Sequence, residues 1–424
     1  MLTETEQRAL DQINEQALVA TLGELLAVPS IGGTPAELRV QQVAAQLLER
    51  EGLAVETTEL DLAALLAHPR FPGSEVERTA ALAVQGTLGA GQGRRLIFNG
   101  HLDVVPAGDE AAWSSPPWQA HVAGGRVYGR GSCDMKGGVA ALIHAAGAIR
   151  RAGVRLRGTL AVQTVIGEED GGLGSFAAGL RWPGADGAVI AEPTELRPVL
   201  AQAGALTFRL RVTGRAAHGA MRAEGYSALD AYLPLHQALA ELEHQRNSAV
   251  EHPLMRALPL PYPISVGMVR AGEWSSTVPE QLVAEGRYGL RVGEPVEQAR
   301  AALEQAIAAA AAADPWLHAH PPVLEWWGGQ FDSAEIAPEH PLVQVLSGVL
   351  ADEGRDTTPA GVSYGSDMRL LQHIGGTPAL LCGPGDVRLA HQRDESIPIA
   401  DLLAAARLYV LTALRFLGTE NEGR

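Results

Sequence analysis

Residues 96–106 read LIFNGHLDVVP, and they place two ionisable side chains where a buried strand is otherwise indicated. Leu96, Ile97 and Phe98, followed by Val104 and Val105, have the aromatic and β-branched character of a core strand, which Asn99-Gly100 and Pro106 interrupt or end. Residues two apart on a strand face the same way, so His101 and Asp103 are expected to be neighbours near its C-terminal end. Two readings follow. One is a core histidine tied to an aspartate. The other is a metal ligand with a carboxylate behind it, since ligating histidines hand their second N–H to such an oxygen.

The remainder of the chain puts this strand in an α/β frame. Up to about residue 202, strand-like runs (94–105, 158–166 and 187–191) alternate with helical ones, among them 135–153, where Arg150 and Arg151 suit the negative end of the helix dipole. From 203 to 328 the order changes to strand 205–213, helix 226–246, a Pro-rich link, strands 264–270 and 280–291, an Ala-rich helix 296–313 and strand 321–327. That order suits a compact split βαβ unit of α+β type. Helix 341–353, strand 377–382 and helix 399–417 then restore the first pattern. The expected architecture is a mostly parallel-sheet α/β domain, 1–202 and 329–424, with an α+β domain, 203–328, inserted into it.

Composition narrows the partners. Thirty-three Lys and Arg stand against 49 Asp and Glu, a net charge of −16 spread along the chain, which argues against a nucleic-acid backbone as ligand and for a small-molecule substrate. The N-terminal stretch has neither the basic nor the apolar region of a secretory signal, and no run is apolar enough for a membrane span, so a cytoplasmic location is expected. Only Cys133 and Cys382 occur, too few for a disulfide framework, and both are expected to be small buried residues.

Further polar motifs lie where strand patterns end: GRGSCDMKGG (129–138), GEEDGG (167–172), AEPT (191–194) and GPGDVRLAHQRDE (383–395). Ligands of open α/β sheets bind beyond the carboxyl ends of the strands, so these distant motifs can converge. Asp134, Glu168, Glu169, Glu192 and His391 would then join His101 and Asp103. So many carboxylates in one crevice repel strongly unless a divalent cation sits among them, and two histidines with surplus carboxylates suit an open catalytic site for zinc, cobalt or manganese. The glycine-rich GAGQG at 89–93 precedes a strand instead of joining strand to helix, which removes the dinucleotide reading, and GxxxxGK[ST] is not present.

Taken in order, HLDVVP, GRGSCDMKGG, GEED, EPT and AHQRDE resemble the co-catalytic zinc amidohydrolases of acetylornithine deacetylase, succinyl-diaminopimelate desuccinylase, aminoacylase and carboxypeptidase G (metallopeptidase family M20). The resemblance covers nearly the whole chain. It implies two zinc ions per subunit, His101 and Glu192 holding one, Glu169 and His391 the other, and Asp134 bridging both. Asp103 is implied to support His101, and Glu168 to be the general base that takes a proton from the attacking water. A cis peptide is implied after Asp134. The inserted domain would serve as lid and homodimer interface, with His218, in GRAAHGA, reaching the partner subunit's site to steady the oxyanion. An N-acylated amino acid or similar small amide is the implied substrate, with carboxypeptidase or dipeptidase action, desuccinylation of succinyl-diaminopimelate or deformylation of an N-formyl amide as alternatives on the same site, and a catalytically silent metal-binding protein as the remote one. Departures touch substrate contacts: Gly289 stands at the aspartate of a D-x-R element whose arginine is Arg291, and Ser276 replaces a lid asparagine. Arg287 and Arg369 are further candidate anchors for an anionic group.

Overall fold

The computed structural model describes residues 2–420 and divides into two compact units. One comprises the chain up to Leu200, Glu335–Ala360 and the chain from Ser366; the other comprises Ala201–Ala334 with Gly361–Gly365.

The first unit is built on a nine-stranded sheet. Its centre runs Thr159–Val165, Arg95–His101, Gly187–Pro193, Ala379–Gly383, all parallel. Leu82–Leu88 and Ala54–Glu59 extend one side antiparallel. The mixed α/β fold with a largely parallel centre is therefore as expected, with the antiparallel strands confined to its flanks. Central strands covered on both faces carry nearly continuous apolar runs, and Gly187–Pro193 is buried at every residue.

Two helices explain how this sheet is covered. Gly137–Arg151 is buried from Gly137 through Ile149, and Ile399–Leu417 packs against it. Glycine permits the closeness: a Cβ at Gly138 would stand 2.3 Å from the carbonyl oxygen of Ala191, and one at Gly100 would stand 2.6 Å from Val139. The helix starts two residues later than the expected 135, because Ser132–Lys136 forms a wider turn with Asp134 and Met135 outside helical geometry. A small sheet of His121–Ala123, Arg126–Tyr128 and Ser396–Pro398 brings the end of the last polar motif beside this turn.

In the second unit, Ile264–Ala271, Gln281–Leu290, Gly204–Thr213 and Val323–Phe331 form an antiparallel sheet in that spatial order. Alternate residues Leu206, Phe208, Leu210 and Val212 share one buried face with Leu235 and Leu239 of helix Ala228–Ser248 and with Leu303 and Ile307 of helix Val296–Ala313. The Ala-rich helix buries only Ala299, Leu303, Ile307 and Ala311, one stripe at helical spacing. Among the described residues, no helix is long and apolar enough to cross a membrane.

One buried contact in the first unit has a pH consequence. His144, fully buried on helix Gly137–Arg151, accepts the amide N–H of Asn14 at Nε2, 3.0 Å away, at the start of helix Glu15–Leu26. Burial, together with the charge of Arg151, pulls its pKa down from 6.5 to about 4. The unfolded chain therefore takes up this proton first as pH falls, and the stability that neutral His144 confers above pH 6.5 is lost towards pH 4. The expected slope from this group is about 1.4 kcal/mol per pH unit within that window. Urea denaturation of wild type and His144→Gln at pH 7 and pH 5 measures it: the wild type should lose more stability between the two.

Candidate metal centre

His101 is the last residue of its strand, and the expected strand 94–105 stops there. The chain turns out of the sheet while Leu102 and Val104 stay buried, the Leu102 amide donating to Val165 and the Val104 amide to Ser30. His101 and Asp103 consequently do not share a strand face, which corrects the geometry expected from spacing. The imidazole Nδ1 lies 3.0 Å from the carbonyl oxygen of Asp103 and 3.6 Å from its Oδ1. The backbone oxygen is thus the nearer partner of the ring.

The Asp103 carboxylate, fully buried, has its closer contacts elsewhere. Oδ1 accepts the amide of Glu168 at 3.3 Å and Oδ2 that of Glu169 at 3.2 Å. One residue therefore orients the His101 ring and anchors the loop of the glutamate pair, which follows strand Thr159–Val165.

Asp134 sits between the two histidines. Its Oδ1 is 3.0 Å from His101 Nε2, and its Oδ2 is 3.5 Å from His391 Nε2. Glu169 Oε1 lies 3.2 Å from His391 Nε2, and Glu192 Oε1, on strand Gly187–Pro193, lies 3.9 Å from His101 Nε2. Donor atoms of His101, Asp134 and Glu169 fall within 4.8 Å of one another, as do those of His101, Glu168 and Glu192. The peptide bond between Asp134 and Met135 is cis. His391 differs from the other donors in being half exposed, and its φ of +60° is the left-handed conformation that a non-glycine residue seldom adopts.

Electrostatics expose a shortage of positive charge. Burial, reinforced by neighbouring carboxylates, pushes Glu168 and Glu192 well above the usual carboxylate range and raises Glu169. Burial opposes ionisation of Asp134 too, but the bonds from His101 and His391 hold its pKa below the ordinary value. The hydrogen bond to Asp134 and the charges of Asp103 and Glu192 outweigh burial and lift His101 well above 6.5. Bonds to Asp134 and Glu169 lift His391 to about 10. Imidazoles that must hold protons among clustered carboxylates mark a site built for cations, and the nitrogen and oxygen donors fit divalent metals of the zinc type.

Residues with no role evident from sequence complete the support. Glu395, almost fully buried, accepts the amides of Gly131 (2.9 Å), Cys133 (2.8 Å) and Asp134 (3.0 Å) and the Arg130 guanidinium (2.6 Å). It thereby fixes the turn that presents Asp134. Asp367 is buried too, bonded through Oδ2 to Ser175 Oγ at 2.6 Å, while its Oδ1 has no hydrogen-bond partner among the described residues. Glu395 lies in the last polar motif, but a carboxylate whose partners are mostly backbone amides leaves no spacing pattern. Arg369, expected as a substrate anchor, is buried with Nη1 on the Ser366 carbonyl and Nη2 on the Gly171 carbonyl, each at 2.7 Å, and so braces two loops.

His218, Ser276, Arg287 and Arg291 belong to the second unit. His218 is exposed and accepts the Ala220 amide at Nδ1, and the Ser276 carbonyl accepts the Gly219 amide. Arg291 lies just past its strand, with Nη2 on the Arg246 carbonyl at 2.9 Å. Arg287, within the strand, donates Nη2 to the Ser363 carbonyl at 3.1 Å, and burial lowers its pKa. Cys133 and Cys382 are buried free thiols, as expected, and burial raises both pKa values.

The Glu395 contacts generate an expectation. Glu395→Gln replaces one acceptor oxygen by an amide that faces N–H donors and removes the charge opposite Arg130. A stability loss of about 3 kcal/mol is expected, read as a lower urea midpoint.

Acetylornithine deacetylase of Myxococcus xanthus is 29% identical over 406 residues, 95% of this chain and 98% of that protein. N-formyl-4-amino-5-aminomethyl-2-methylpyrimidine deformylase of Bacillus subtilis is 26% identical over 345 residues, 77% of this chain and 80% of that protein. Among solved structures, human carnosine dipeptidase 1 superposes with a TM-score of 0.75 at 17% identity, covering 98% of this chain and 100% of that one. The model of peptidase family M20/M25/M40 matches residues 97–415, which hold every candidate donor described above, and the chain belongs to that family of amide-bond hydrolases.

Proposed function

We propose that this protein is a two-metal deacylase that removes an acyl group from an N-acylated amino acid or a similar small amide. The observation that carries the reading is the placement of Asp134, one carboxylate oxygen beside His101 and the other beside His391. His101 with Glu192, and His391 with Glu169, would hold two divalent ions, zinc by donor chemistry with cobalt or manganese as alternatives. Bound there, the ions would supply Lewis acidity and lower the pKa of water.

The chain's own residues account for the proton. Glu168 is buried beside the donors without being required as one, and its amide is fixed by Asp103. It accepts a proton from the attacking water and returns it to the leaving amine. Asp103 keeps the His101 tautomer with Nδ1–H towards its carbonyl, leaving Nε2 free to donate its lone pair. In the second unit, Arg287 and Arg291 are the proposed contacts to a substrate carboxylate, and Ser276 is a further proposed substrate contact. Homodimerisation through this unit, with His218 supplied to the partner subunit, belongs to the same reading. The exposed apolar side chains of Leu229, Leu233, Met268 and Val269 support such a surface.

Two relatives favour different acyl groups. Similarity over 95% of the chain to an acetylornithine deacetylase supports acetyl transfer to water from an amino acid, whereas the similarity to a formyl-pyrimidine deformylase supports a formyl amide as the second reading. A kinetic panel of N-acetyl, N-succinyl and N-formyl amino acids, formylated aminopyrimidines and dipeptides, run with added zinc, cobalt and manganese, separates them. The highest kcat/KM is expected for an N-acetyl amino acid; preference for the dipeptides would replace deacylation by exopeptidase action. Dialysis against a chelator should abolish turnover, and two equivalents of zinc should restore it. Glu168→Ala should lower kcat by about 10²–10⁴-fold at undiminished metal content. Normal turnover in that variant would remove Glu168 as the base.

A further inference from the structure

The loop of the glutamate pair is held from two sides. Asp103 holds the amides of Glu168 and Glu169 from the donor side. On the other side Asp170, next in sequence and nearly buried, takes Arg78 on both carboxylate oxygens, Nη2 to Oδ1 at 2.6 Å and Nη1 to Oδ2 at 3.0 Å. Asp170 Oδ2 also accepts Ser74 Oγ (2.6 Å) and the amides of Glu75 (3.2 Å) and Val76 (3.3 Å).

Arg78 is itself buried, and the rest of its fork is engaged. Nε and Nη2 bind Glu37 at 2.8 and 2.9 Å, in the first turn of helix Ala36–Arg50, and Glu37 also accepts the Gly33 amide. The strap 73–78 touches the loop along its length. A Cβ at Gly167 would stand 3.1 Å from Arg78 Nη2, and one at Gly171 would stand 2.1 Å from the Gly73 carbonyl oxygen. A guanidinium shared by two carboxylates in a dry site gives orientation as well as attraction, because its planar fork fixes both partners at once.

We infer that Arg78, forked between Glu37 and Asp170, is a positioning residue for the reaction: it clamps the glutamate loop so that the Glu168 carboxylate is held at the angle the proton transfer needs. The inference rests on the reading of Glu168 as the base. Arg78 touches neither substrate nor donor atoms. It acts through Asp170, two residues from the base, and a displacement of the base by about 1 Å is enough to cost roughly a hundredfold in rate.

Arg78→Met, Arg78→Lys and Asp170→Asn test it, assayed on the best substrate of the amide panel at full zinc loading. Arg78→Met is expected to lower kcat by about tenfold or more with KM within about twofold. Arg78→Lys, which keeps the charge but not the fork, is expected to lie nearer to the Met variant than to wild type. Hydrogen exchange in the metal-free proteins gives a readout independent of turnover: amides 168–169 should exchange faster in all three variants, while strand Thr159–Val165 stays protected. Wild-type kcat in a folded, fully loaded Arg78→Met protein would overturn the inference, as would unchanged exchange at 168–169. Where Arg78→Met does not fold, Arg78→Lys and Asp170→Asn decide by the same two measurements. Full activity in Glu168→Ala would instead overturn the assignment of the base, while the exchange data would still report whether Arg78 clamps the loop.

Discussion

Clustered negative charge at the carboxyl edge of the sheet is the constraint around which the first unit is arranged. Asp103, Asp134, Glu168, Glu169 and Glu192 are each buried or nearly so, and among the described residues no lysine or arginine forms a salt bridge with any of them. Removing carboxylates from water is costly, and mutual repulsion in a poorly polarisable interior adds to the cost. Among the described residues His101 and His391 are the cationic groups bonded to this cluster, and the neighbouring carboxylates raise the pKa of both. The rest of the fold has to hold this group together against its own repulsion.

It does so mostly with backbone amides. Asp103 gathers the amides of the glutamate pair, and Glu395 gathers those of the Asp134 turn, each carboxylate compensated by N–H dipoles that cannot move without unfolding a loop. Glycine makes the geometry attainable, since helix Gly137–Arg151 must approach the carbonyl of Ala191, next to Glu192, more closely than any side chain allows. Packing and electrostatics are therefore not separable here. The same turn that seats the helix presents the Asp134 carboxylate.

Elements dominated by one-dimensional pattern were legible in the sequence. The helices Val296–Ala313 and Ile399–Leu417 fall on their expected ranges because apolar periodicity and a preceding proline define both ends. The strand through His101 was read too long because Val104 and Val105 look like its continuation, whereas Val104 instead forms an isolated bridge to Ile31. The donors could be read because each sits in a short motif at a strand end. Asp103, Glu395 and Arg78 show the limit: their partners are amides or side chains brought near only by tertiary structure, at separations of 65, 261 and 92 residues, and no local spacing encodes them. Arg369 shows the converse, an arginine expected to anchor an anionic group but buried with its guanidinium donating to the Ser366 and Gly171 carbonyls.

Asp103 joins three functional groups through one residue: its carbonyl sets the His101 ring, and its two carboxylate oxygens set the Glu168 and Glu169 amides. The orientation of the His101 ring and the placement of the Glu168–Glu169 loop are therefore mechanically linked, and on the proposed reading so are metal affinity and base placement. A lineage, or an engineer, seeking a new substrate cannot retune one without disturbing the other.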